Sequence, residues 1–147
     1  MPNMWLLKEF DVTDFLDTNV IIRFLTRDNP VQSVKAQTFL KAVETGSTKV
    51  ITSEAVIIEA VQVLSSKALY HLSRADIKKH LTNIIELKGL QLSHKRSYVR
   101  ALDLYAQFTI DFVDALNIAY MERLKIATII SFDRDFEKIK NITRKEP

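Results

Sequence analysis

The stretch Val12-Thr-Asp-Phe-Leu16-Asp17-Thr18-Asn19-Val20-Ile-Ile-Arg-Phe-Leu25 decides the fold class. Val12 to Leu16 reads as a short strand that stops at Asp17. Val20 to Leu25 reads as a short apolar helix that follows at once. The same alternation continues along the chain. Asn29 is a good N-cap, Pro30 suits the first helical position, and Gln32 stands at the capping-box position, so a helix runs to about Glu44 and stops at Gly46. Lys49 to Ile51 reads as a second strand. Ser53 caps a helix through Ala55 to Ser65, and the box Ser73-Arg-Ala-Asp76 opens another to about Leu87. Leu90 to Leu92 is a third short strand. Helices follow over His94 to Phe108 and Asp111 to Leu124, then an apolar, β-branched strand over Ala127 to Ile130. Asp133 to Lys138 reads as a short turn or helix, and Asn141 to Thr143 as a last edge strand. Both glycines, Gly46 and Gly89, fall where a helix should end.

Strands alternating with helices favour a parallel sheet covered on both faces, a three-layer α/β/α sandwich. Ligands in such sheets bind beyond the carboxyl ends of the strands. Asp17 and Asp133 both fall just past the ends of apolar strands.

The bulk numbers agree with one ordinary domain. The chain has 147 residues, 47% of them hydrophobic and 27% charged, which excludes a disordered chain. Repeats, low-complexity tracts and Pro/Gly-rich linkers are absent from the sequence. The net charge of +3 suits a polyanionic partner without requiring one. With no cysteine, disulfides and thiolate metal sites are excluded, and a cytoplasmic location is expected. No apolar run approaches the ~18 residues of a membrane span, and Trp5-Leu6-Leu7 is too short for a signal-peptide core.

Four acidic positions stand out: Asp17, Glu59, Asp114 and Asp133. Glu59 lies in Ala55-Val-Ile-Ile-Glu59-Ala-Val-Gln-Val-Leu64, a helix apolar nearly all round, and is expected to be cut off from bulk water. A buried carboxylate needs a cation, a strong donor or a proton, so an ion pair with Lys or Arg stands beside a metal as its explanation. Asp17 alone could cap a helix. Asp111 could be an N-cap with Asp114 at the capping-box position, and Asp133 could cap the helix after it. Together they are harder to dismiss. Like charges ~4 Å apart repel by roughly 4 kcal/mol per pair at an effective dielectric of 20. Bound Mg²⁺ or Mn²⁺, which prefer oxygen ligands, would remove that repulsion. Such an ion suits phosphodiester hydrolysis.

Phe15-Leu-Asp17-Thr18-Asn19, Glu59 inside an apolar helix, Asp111-Phe-Val-Asp114 and Ser131-Phe-Asp133-Arg-Asp-Phe136 resemble the successive motifs of PIN-domain nucleases, most closely the VapC-like toxins of type II toxin–antitoxin pairs. The likeness spans residues 13 to 143. It implies a Mg²⁺- or Mn²⁺-dependent endoribonuclease in which Asp17, Glu59, Asp114 and Asp133 match the family's acidic residues and Asp17 and Asp114 touch the metal. It further implies supporting roles for Thr18, Asn19, Asp111 and Ser131. An RNA substrate, a cognate antitoxin and a homodimer also follow from the resemblance. One departure is that residues 1–11 precede the first motif as an N-terminal extension of the single domain, 1–147.

Arg134, beside Asp133, is the first candidate for holding the substrate phosphate. Two diffuse basic stretches, from Lys78 to Arg100 and from Arg134 to Lys145, read more simply as solvated faces. His71, His80 and His94 show no ligand spacing. A dehalogenase-like phosphatase would want an acid where Asn19 stands, and neither a Walker loop nor a dinucleotide fingerprint is present. A housekeeping RNA-processing nuclease and a non-catalytic metal-binding scaffold are the competing readings.

Overall fold

In the computed structural model the described residues are Val12 and 14–147. The extension 1–11 and Thr13, within the first expected strand, lie outside them.

Three of the expected helices begin on the N-cap residues that the sequence names, Asn29, Ser53 and Ser73. Helix α1 spans Thr18–Thr26. Helix α2, Pro30–Thr45, starts at Asn29, whose side chain accepts from the Gln32 amide, and ends at Gly46 with φ of +80°. Strand β1 is Val50–Ile51. Ser53 accepts from the Val56 amide to open α3, Glu54–Ser65. Ser73 accepts from the Asp76 amide to open α4, Arg74–Ile85. These side-chain acceptors satisfy amides that the first helical turn leaves without partners. Strand β2 is Leu90–Gln91, α5 is Lys95–Gln107, α6 is Phe112–Leu124 and β3 is Thr128–Ile130. A 3₁₀ turn, Arg134–Lys138, leads to β4, Thr143–Lys145.

The protein is α/β, and among the described residues every strand pairing is parallel. β1 pairs with β2 in the register Val50 to Leu90, and β3 pairs with β4 in the register Thr128 to Thr143. Phe15 bridges to Ile51, and the Leu16 amide donates to the Ile51 carbonyl, so the segment before Asp17 runs alongside β1. Among the described residues the strands therefore form two separate parallel ladders rather than one displayed central sheet.

Three local expectations need correction. The last strand begins at Thr143, because Asn141 adopts φ of +71° and turns the chain first. β3 is not a buried strand: Thr128 and Ile130 are exposed and Ile129 is half-buried. Gly89 does not end a helix, since α4 already stops at Ile85. Its role is steric. A Cβ there would sit 2.1 Å from the Thr48 carbonyl oxygen and 2.7 Å from that of Val43, so only glycine allows this approach between the α2–β1 turn and β2.

Among the described residues the apolar core is one cluster. α5 packs on α4 and α6, and α1 packs on α2 and α3. Ile57, Leu64, Leu81, Leu102 and Leu104 are fully buried within it. Burying one such side chain contributes ~1.5–3 kcal/mol. This packing fixes α1, α3 and α6, the three helices whose first or middle turns carry Asp17, Glu59 and Asp114.

Candidate active site

Asp17 holds the N-cap position of α1 but makes no side-chain cap hydrogen bond. Its exposed carboxylate thus does none of the capping that its position suggested. Thr18 next to it is buried, and its hydroxyl has no hydrogen-bond partner among the described residues. An orphaned buried hydroxyl of this kind calls for a water or an ion nearby. Asn19 is exposed and lines the groove between α1 and α2.

Asp111 and Asp114 do not form the expected capping box. Asp111 accepts instead from the Phe112 amide at 2.8 Å, and Asp114 is left without a hydrogen bond among the described residues. Burial raises the Asp114 carboxyl above the ordinary carboxylate range, and the charges of Asp133, Asp111 and Asp135 push it further up. The 3₁₀ turn therefore brings Asp133 close enough to α6 for the carboxylates to oppose one another's ionisation. Asp133 itself accepts from the Asp135 amide at 2.8 Å. The Ser131 hydroxyl accepts from the Asp133 amide at 3.0 Å, so this serine shapes the acidic turn.

Glu59 departs from expectation. It is exposed rather than cut off from solvent. The buried face of α3 is carried by Val56, Ile57, Ala60, Val61 and Leu64. Glu59 shares its stripe with exposed Ala55 and Gln62, four and three residues away respectively. No Lys or Arg pairs with it among the described residues.

Asp17, Glu59 and Asp114 thus have no structural partner among the described residues, whereas Asp111 and Asp133 each spend one oxygen on a cap. Asp135 joins the group unforeseen. Its signal was its place two residues after Asp133, within the same short turn. Among the described residues, no three acidic or histidine side chains converge into a ready-made ion shell. The donors still fit a hard cation. They are all oxygen, Asp114 is destabilised by neighbouring negative charge, and the Thr18 hydroxyl lacks a partner beside Asp17. Mg²⁺-type ions need only one or two protein carboxylates and keep several waters.

Two arginines that sequence reasoning missed hold the acidic segments. One Arg74 nitrogen lies 2.6 Å from the Ile110 carbonyl, 2.9 Å from that of Tyr105 and 3.3 Å from that of Phe108, which ties the end of α5 to the entry of α6. Arg144, on β4, donates to the Ser131 carbonyl at 2.9 Å and pairs with Glu137 at 3.0 Å, bracing the Asp133 turn. Arg144 counted only in the basic stretch read as a solvated face and Arg74 carried no signal, because each reaches carbonyls far along the chain.

Arg134, the candidate for holding the substrate phosphate, lies on the 3₁₀ turn. Its side chain is 79% exposed and leans on Glu137 at 3.4 Å. The basic stretches are largely engaged: Lys78 with Asp103, Arg100 with Glu122, Lys138 with Asp135, and Lys95 with the Leu87 carbonyl.

A VapC ribonuclease of Aquifex aeolicus (strain VF5) is 28% identical over 124 residues, covering 84% of this chain and 90% of that protein. The PIN domain model matches residues 15–142, a span that contains all of the acidic residues above, and this chain belongs to the PIN-domain family.

Proposed function

We propose that this protein is a Mg²⁺- or Mn²⁺-dependent endoribonuclease and the toxin of a toxin–antitoxin pair. The observation that carries the reading is Asp114, a carboxyl in the first turn of α6 pushed up by burial and by Asp133, Asp111 and Asp135, with no neutralising partner among the described residues. Nothing structural is gained from such an arrangement, and a cation relieves it. The likeness to a VapC ribonuclease supports RNA as the substrate.

Asp17 and Asp114 would hold the ion, which when bound supplies charge neutralisation at the phosphate and a more acidic water. Glu59, exposed and unpaired, accepts the proton of the attacking water. Asp133 orients that water, and Ser131 keeps the Asp133 turn in shape. Asp111 adds negative potential at the rim, and Thr18 and Asn19 support the Asp17 turn. Arg134 meets the substrate phosphate from outside.

We assign this site to a single α/β/α domain over 1–147 in which the two ladders belong to one parallel sheet, with 1–11 as an extension, working in the cytoplasm. The antitoxin and a second copy of the chain are its protein partners. The groove between α1 and α2, lined by exposed Phe15 and half-buried Val20 and Phe39, and the exposed Val31 and Val34 elsewhere on α2 support such contacts.

The test is incubation of the purified protein with structured and single-stranded RNA in Mg²⁺ or Mn²⁺, then in excess EDTA, beside Asp17→Asn. Cleavage that needs the metal and is lost in the variant is the expected result. Equal cleavage by the variant defeats the assignment.

A further inference from the structure

A cleft of about 450 Å³ opens beside the acidic cluster. Asp111 lines it, and the charge of Asp111 is one of those that act on Asp114. Gln62, on its α3 wall, stands less than one helical turn beyond Glu59 on the same exposed stripe. Cleft and acidic cluster are therefore continuous.

The character of the cleft changes along its length. Its other end carries Lys67 and His71, both exposed, from the segment between α3 and α4. Their side chains make no ion pair or hydrogen bond among the described residues, unlike the engaged cations of α4 and α5. Ile58 and Leu72, both half-buried, add apolar surface to its lining. The Gln62 amide is likewise uncommitted.

The segment bearing Lys67 and His71 is anchored. The Leu72 amide donates to the Leu64 carbonyl at 2.8 Å and the His71 amide to that of Ser66 at 2.9 Å. His71 takes φ of +47°, a conformation that disfavours any residue with a Cβ. Arg74 closes the wall with a guanidinium already committed to carbonyls. Lys67 and His71 are thus held at the mouth on a fixed loop, with their donors available.

The Asp111 carboxylate at one end, the uncommitted Lys67 and His71 donors at the other and the apolar lining side chains match one nucleotide of a polyanion whose neighbouring phosphate lies at the acidic end. The volume suits a single small ligand and is too small for a duplex. We infer that this cleft holds the nucleotide next to the scissile bond of a single-stranded RNA, with Lys67 and His71 on its phosphate, its base against Ile58 and Leu72, and Gln62 at the base edge. This rests on the nuclease reading above.

The test is fluorescence anisotropy of an eight-nucleotide mixed-sequence single-stranded RNA with the full chain at 50 mM salt in EDTA, where metal-dependent cleavage is silent. Lys67→Glu should weaken binding by about tenfold and lower the salt dependence by about one phosphate contact. Lys79→Glu, an exposed cation elsewhere on α4, should stay within about twofold of the wild type by the same reasoning. Gln62→Ala should flatten the base preference at one position of the cleavage site. Circular dichroism checks that each variant is folded. Unchanged affinity in Lys67→Glu, with cleavage by the wild type intact in Mg²⁺, overturns the cleft, leaves the nuclease standing and points to a protein ligand there. A folded wild type that neither binds nor cleaves RNA overturns both.

Discussion

Replacing Arg74 by Met removes the clamp between α5 and α6 while keeping most of the side-chain volume. One nitrogen reaches three carbonyls at 2.6, 2.9 and 3.3 Å, but it carries only two hydrogens, so two full bonds are counted. Hydrogen bonds from a charged donor contribute ~1.5–3 kcal/mol each. The guanidinium also lies 4.2 Å from the centre of the Tyr105 ring, a contact worth ~0.5–2 kcal/mol. The methionine recovers part of the packing and removes the cost of desolvating the charge. The net loss is therefore about 3–4 kcal/mol, or a fall in Tm of about 8–14 °C for a chain of this length. Thermal unfolding followed by circular dichroism measures it. Arg74→Lys keeps the charge and one carbonyl contact and should recover about half of the loss. A Tm for Arg74→Met within about 3 °C of the wild type would refute the clamp.

Gly89→Ala should destabilise the protein by more than ~3 kcal/mol, because the added Cβ meets backbone oxygens at 2.1 and 2.7 Å that cannot rotate away; Gly46→Ala, whose Cβ would meet only the flexible end of Lys88, should cost ~1 kcal/mol for its positive φ. Urea unfolding midpoints of the two variants decide this order. Asp114→Asn bears on pH. The folded Asp114 carboxyl titrates above its unfolded value, so the folded state binds the extra proton and metal-free stability falls as pH rises through that interval. Below the ordinary carboxylate range both states are protonated and the penalty vanishes. The variant in EDTA should therefore exceed the wild type in Tm at pH 7.5 and match it at pH 3; equal values at both would remove the mutual repulsion of these carboxylates from the account.

The helices were the most legible part of the fold, because a cap acts within one turn. Asn29, Ser53 and Ser73 each accept from the amide three residues on, as their spacing implied. Strand partners were less legible. β1 and β2 are two residues each, and their pairing depends on a backbone approach that only Gly89 permits. Helical periodicity misjudged Glu59, because Ile58 and Val63 beside it are only half-buried at the edge of the core, which leaves a solvent stripe through Ala55, Glu59 and Gln62. Asp111 and Asp114 had the spacing of a capping box, yet a more local bond, donated by the Phe112 amide to the Asp111 carboxylate, took its place. The roles of Arg74 and Arg144, and those proposed for Lys67 and His71, were not legible, since they arise where segments distant in sequence meet.

The most direct test of the acidic site is Mn²⁺ binding, followed by electron paramagnetic resonance on the wild type, Asp17→Asn and Asp114→Asn. The account predicts saturable binding to the wild type, weakened by about tenfold or more in each variant, as expected when a charged oxygen ligand is lost. Binding of equal strength in all three proteins would contradict it, because the ion would then sit away from Asp17 and Asp114.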